Sequence, residues 1–147
     1  MAGGAPRYLL HTDYGILHAM RYLGIDYGER HIGVALSDEE GRFAFAHSVV
    51  ENDEMAVGRV KELCAAEGVG TVVMGESLNY KREDNPVMRK IRVFAEALGG
   101  ATGLPIIFHP EFLTTVEAYH YRKPGMEDAS AAAIMLQSFL DTQHHNS

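Results

Sequence analysis

Between residues 21 and 50 three strand-like segments follow one another with turn-length gaps, and the first ends in an acid. Residues 21–26 form an apolar run closed by Asp26. HIGVALS (31–37) is a second run, DEEG (38–41) supplies a turn, and RFAFAHSVV (42–50) alternates aromatic with small or polar residues. Such alternation marks a half-buried strand. Three strands joined this closely predict an antiparallel meander, which fixes one half of the sheet.

After residue 51 the period becomes helical. Ala56, Val60, Leu63, Cys64 and Glu67 fall at helical spacing, with Asn52 or Asp53 as the expected cap. VGTVVMG (69–75) is a fourth, continuously apolar strand, followed by the polar stretch ESLNYKREDN (76–85). Pro86 opens a helix whose Val87, Ile91, Phe94, Ala95 and Leu98 make one stripe, stopped at Gly99-Gly100. LPIIF (104–108) is a fifth strand. Thr114 stands at capping-box distance from Glu117 and starts another helix. The last helix opens near Glu127 and runs to about Leu140. The order βββαβαβαα predicts an α/β fold, a mixed sheet with helices on both faces.

RYLLHTDYG (7–15) echoes RYLGIDYG (21–28), but only the second copy is followed by hairpin chemistry and a partner strand. Residues 1–20 are therefore expected to be an N-terminal extension, 21–141 the domain, and 142–147 a tail with His144-His145 in solvent. A hydrophobic share of 46% and a charged share of 22% suit a globular protein, and no apolar run approaches the roughly 18 residues that cross a bilayer. The lone Cys64 cannot form an internal disulfide, which points to the cytoplasm. A net charge of −7 argues against gripping nucleic acid over the whole surface, leaving a local basic patch or carboxylates bridged through metal.

A carboxylate at the end of a buried strand is costly unless it is hydrogen-bonded, ion-paired or bound to metal. Asp26 could cap the DYGE turn, with Gly28 at positive φ. Other acids also stand at element ends. Glu76 closes strand four, Glu111 follows strand five, and Glu127 and Asp128 open the last helix. With strand one central, the ends of strands one, four and five meet at one edge, and carboxylates converging there need a divalent cation. Oxygen-only ligands suit Mg²⁺ or Mn²⁺. Each acid also has a plainer reading: a helix macrodipole favours Glu127 and Asp128, and Glu76 could be a solvated loop residue. Lys81 and Arg82 are candidate phosphate contacts, although Glu83 and Asp84 beside them suit a solvated face.

GIDYGERHIGVALSD, LTTVEA and EDASAAAIMLQSFLD, in that order, resemble three signature blocks of the YqgF (RuvX) family. These are the Holliday junction resolvase-like proteins of the RNase H-like superfamily, and the resemblance runs from about Arg21 to Asp141. It implies a five-stranded sheet of order 3-2-1-4-5. It also implies two-metal hydrolysis of a phosphodiester on structured RNA or branched DNA, with processing of the 5′ end of precursor 16S ribosomal RNA as the family's role. Carried over residue by residue, the first catalytic aspartate falls on Asp26 and the C-terminal one on Asp128. The family's usual Asp-Glu-Arg is here Pro110, Glu111 and Phe112, so only the glutamate matches. Glu76 stands where the family has a leucine and resembles the strand-four glutamate of wider resolvases. The resemblance has Asp26 bridging the ions, Glu111 or Glu76 and Asp128 completing the shells, and Asn79 and Thr114 on the substrate side.

Two other classes share parts of this pattern. Actin-like and sugar-kinase ATPases also open with D-x-G and a hairpin, but need two such domains in a longer chain. A non-catalytic RNA- or ribosome-binding module could keep the fold without the chemistry, and would bind RNA equally well without metal.

Overall fold

The computed structural model describes residues 20–76, 86–110 and 127–145. Strand β1 spans Arg21–Tyr27, β2 His31–Ser37, β3 Ala44–Glu51, β4 Val69–Glu76 and β5 Ile106–Pro110. Helix α1 spans Ala56–Glu67, α2 Pro86–Thr102 and α3 Glu127–His145. The sheet order is β3-β2-β1-β4-β5. β1 pairs antiparallel with β2 and parallel with β4, and β5 extends the parallel half. The mixed sheet in the expected order is therefore present, with β1 at its centre.

Strand pleating sorts the residues of β1 onto two faces. Leu23 and Ile25 join Ile32, Val34, Val72 and Met74 in one core, closed by Val60 of α1 and Met88, Ile91, Phe94 and Leu98 of α2. On the other face, Ala35 and Val73 meet Ala132, Met135, Leu136 and Phe139 of α3. Small residues dominate the sheet side of this second layer. A Cβ at Gly24 would stand 2.8 Å from Leu136 Cβ, so the glycine lets α3 lie close over β1. The far end of α3 is anchored too. Gln137 accepts from Ala44 N–H at 2.9 Å and donates to the Arg42 carbonyl at 2.9 Å.

Several boundaries differ from the sequence expectation. The residue at the N-cap of α1 is Met55, not Asn52 or Asp53. Asp53 acts just outside the helix, where its carboxylate accepts the Met55 N–H at 2.9 Å. Asn52 serves the β1–β2 turn instead. Helix α2 passes through Gly99-Gly100 to Thr102 because Leu98 is still being buried there; Gly103, at φ 73°, ends it by donating to the Gly99 carbonyl. Helix α3 runs on to His145, and the His144 ring bonds the Gly41 carbonyl at 2.8 Å instead of trailing in solvent. β5 begins at Ile106, two residues later than expected. The extension before Met20, the loop with Asn79, Lys81 and Arg82, and the segment with Glu111 and the helix expected from Thr114 lie outside the described residues.

Candidate active site

Asp26 lies one residue before the end of β1, opposite Gly33 of β2 in register. Gly24 and Asp26 share a pleat face, so the Asp26 side chain stands on the α3 side of the sheet. Asp128 lies in the first turn of α3. Gly33 brings the two acids together. A Cβ there would be 1.9 Å from the Asp128 carbonyl oxygen and 2.9 Å from Ala129 N, a separation no side chain could tolerate. The backbone of α3 at Asp128 thus rests on bare strand beside Asp26. The second run of the hairpin has to carry a glycine at this point for the helix to dock.

The consequence is electrostatic. Burial, and after it the negative charge of Asp128, raises the Asp26 carboxyl from 3.8 to about 6. At neutral pH the metal-free site holds an anion in poor solvent contact next to a second acid. The positive end of the α3 dipole offsets this only in part. An oxygen-only pair of this kind fits a hard divalent cation, which would relieve both the burial cost and the repulsion.

The turn after Asp26 is held from two sides. Asn52 donates from Nδ2 to the Gly28 carbonyl at 2.8 Å and from its backbone N–H to the Arg30 carbonyl at 2.9 Å. Lys90 of α2 pairs with Glu29. Gly28 does not have positive φ; the glycine is needed because a Cβ would come within 2.5 Å of the His31 carbonyl oxygen. Nor does Asp26 cap the turn, since it is a paired strand residue.

Glu76 ends β4, next to β1, as expected, but two residues after Met74 on the pleat that faces α1 and α2. Its charge acts on His109 of β5, opposing the burial that lowers the imidazole. His109 itself faces α3, with Nε2 3.1 Å from Ser138 Oγ and its ring edge-on to Phe139. Among the described residues no three His, Cys, Asp or Glu side chains form a cluster able to hold a metal. Asp26 and Asp128 are brought together, Glu76 stands at the end of β4 on the opposite pleat, and Glu111 lies outside the described residues.

A family model described as Holliday junction resolvase, RuvX, matches residues 20–142. The chain belongs to the RuvX family. A relative from Pelotomaculum thermopropionicum, named "Putative pre-16S rRNA nuclease", is 38% identical over 136 residues, covering 84% of this chain and 88% of its own length. One of the same name from Listeria monocytogenes is 36% identical, with 84% and 99% covered. Among solved structures, Thermus thermophilus RuvC in complex with a Holliday junction superposes with a TM-score of 0.56 at 20% identity, covering 84% and 96% of the two chains. The Fowlpox virus resolvase superposes at 0.54 with 12% identity, covering 84% and 99%. Identities this low establish a shared fold and nothing finer.

Sequence reading alone missed Gly33 and Asn52, both of which shape this RuvX-family site. A solitary glycine inside the apolar run HIGVALS was the available signal for Gly33, because such a residue commonly marks close backbone approach. Asn52 carried no local signal, since its partner lies 24 residues away on the β1–β2 turn.

Proposed function

We propose that this RuvX-family chain hydrolyses phosphodiester bonds in structured nucleic acid with the help of Mg²⁺ or Mn²⁺, and that its substrate is the 5′ region of precursor 16S ribosomal RNA. The observation that carries the reading is the Asp26–Asp128 pair, forced together by the α3 contact on Gly33 and electrostatically strained without a cation. The names of the relatives support the substrate, and the resolvase fold supports the reaction class.

In this reading Asp26, at the centre of the sheet, and Asp128, from the first turn of α3, would hold the ions. Glu111, which follows β5 in sequence, would add a further carboxylate, and Glu76, whose pleat faces α1 and α2, would act only through water. When bound, divalent ions activate a water and stabilise the departing oxygen. The protein's part is to hold the two carboxylates side by side, so that no side chain has to act as general base. Lys81, Arg82, Asn79 and Thr114 are assigned to the substrate side.

The test is incubation of the chain with RNA spanning the 5′ end of 16S rRNA and its leader, and with a four-way DNA junction, in Mn²⁺ or in EDTA. The reading expects cleavage of the RNA in Mn²⁺ only, lost in Asp26→Asn. Binding of the RNA with equal affinity in both buffers, and no cleavage in either, would make the chain a binding module instead.

A further inference from the structure

A cavity of about 340 Å³ opens between α1 and α2, on the face of the sheet opposite Asp26. It is lined by Tyr27, Val57, Val93, Phe94 and Ala97 together with the exposed Arg89 and Lys90. The Tyr27 and Phe94 rings of this lining pack against each other at 5.5 Å with a 57° tilt. Val93, at 70% exposure, is an apolar side chain standing in solvent at the mouth. Volume and lining suit one planar ring, at the lower limit of small-ligand sites.

The position of the cavity matters as much as its lining. Tyr27 directly follows Asp26, and successive strand residues point to opposite faces. The candidate active site and the cavity thus flank the same strand end, with Cα atoms about 3.8 Å apart. The chain as a whole carries −7, which repels a polyanion from most of its surface. Helix α2, however, presents Arg89, Lys90 and Arg92 within one turn. Lys90 is engaged by Glu29, whereas Arg89 is exposed and makes no ion pair among the described residues. Aromatic and apolar walls beneath a cationic rim are how proteins hold unpaired nucleotides: the base stacks inside and the phosphate stays at the rim.

We infer that this cavity receives one unpaired nucleobase of the substrate strand, with Arg89 on the adjoining phosphate, so that the chain selects nucleic acid with an unstacked nucleotide close to the bond to be cut. The inference rests on the nuclease reading for its substrate class, but not for its test. Binding is measured in EDTA, where no cleavage occurs, by fluorescence anisotropy of a labelled single-stranded RNA and of a fully paired duplex of the same sequence. Val93→Glu places an anion at the mouth, and Ala97→Phe fills the cavity without changing charge; both positions are exposed, and circular dichroism checks the fold. Each variant is expected to weaken single-strand binding about tenfold or more, the scale of one lost stacking contact, and to leave duplex binding unchanged. Arg89→Ser is expected to lower the salt dependence by about one phosphate contact. Unchanged single-strand affinity in both cavity variants would overturn the inference and leave the cavity to an apolar side chain of a protein partner. Equal weakening for single strand and duplex would overturn it as well. Cleavage in Mn²⁺ is scored separately. Wild-type and Val93→Glu chains cutting unpaired and paired RNA alike would sink the base pocket and spare the nuclease. Base-dependent binding by a wild-type chain that cuts nothing would do the reverse.

Discussion

Replacing Asp26 with asparagine should stabilise the metal-free protein at neutral pH, although the change removes a residue assigned to the active site. The Asp26 carboxyl sits at about 6 in the fold against an ordinary value of 3.8, raised first by burial and second by Asp128. The folded chain therefore holds this proton more tightly than the unfolded chain does. The associated stability is fully present below about pH 4, declines through the window up to 6, and is absent above it. At about 1.36 kcal/mol per pH unit, the full gap is worth about 3 kcal/mol. The carboxylate keeps some solvent contact at the strand end, and screening brings the expected gain down to about 1–2 kcal/mol. For a chain of this length that is a rise in Tm of roughly 4–8 °C. The assay is thermal unfolding in EDTA from pH 3.5 to 8 for wild type and Asp26→Asn. The two should converge near pH 3.5 and separate above pH 6, with the variant higher. A pH-independent difference, or a variant less stable at pH 7.5, would refute the view that an ionised Asp26 is a strained group.

Gly33→Ala should be costly, because its Cβ meets backbone 1.9 Å away and α3 has to lift; urea unfolding should show a loss of about 3 kcal/mol or more, together with weakened Mn²⁺ binding. Gly24→Ala meets Leu136 Cβ at 2.8 Å and should cost about 1–3 kcal/mol in the same titration, with a smaller effect on the metal because the clash lies two turns along the helix from Asp128. Asn52→Ala leaves the Gly28 carbonyl without its side-chain donor; stability should fall by about 1 kcal/mol, and amide hydrogen exchange across residues 28–31 should quicken.

The strand order was legible because its determinants are local. Short turns after Tyr27 and Ser37 force the meander, and the uninterrupted apolar run at Val69 reads as a strand covered on both sides. Asp26 and Asp128 were legible as candidates because each is an acid at an element end inside a recognisable block. Their convergence was expected from the strand order and the family resemblance, but the contact that enforces it was not, because it depends on a helix more than ninety residues downstream settling on the bare backbone of Gly33. The same applies to Glu76. Its place beside β1 followed from the strand order, but its face depends on the β4 register, which is set by Met74 opposite Ile25. The caps misled for a related reason. Asn52 and Asp53 have helix-capping chemistry, but Asn52 gains a long-range partner in the β1–β2 turn, and the helix starts at the next available residues.

The central claim is that Asp26 and Asp128 together hold a divalent cation, and calorimetric titration of Mn²⁺ into the full chain tests it most directly. Wild type should bind with a measurable Kd at pH 7.5, and Asp26→Asn and Asp128→Asn should each weaken binding by more than about 100-fold, the upper end of what losing an indirect partner costs. Equal Mn²⁺ affinity in wild type and both variants would contradict the claim.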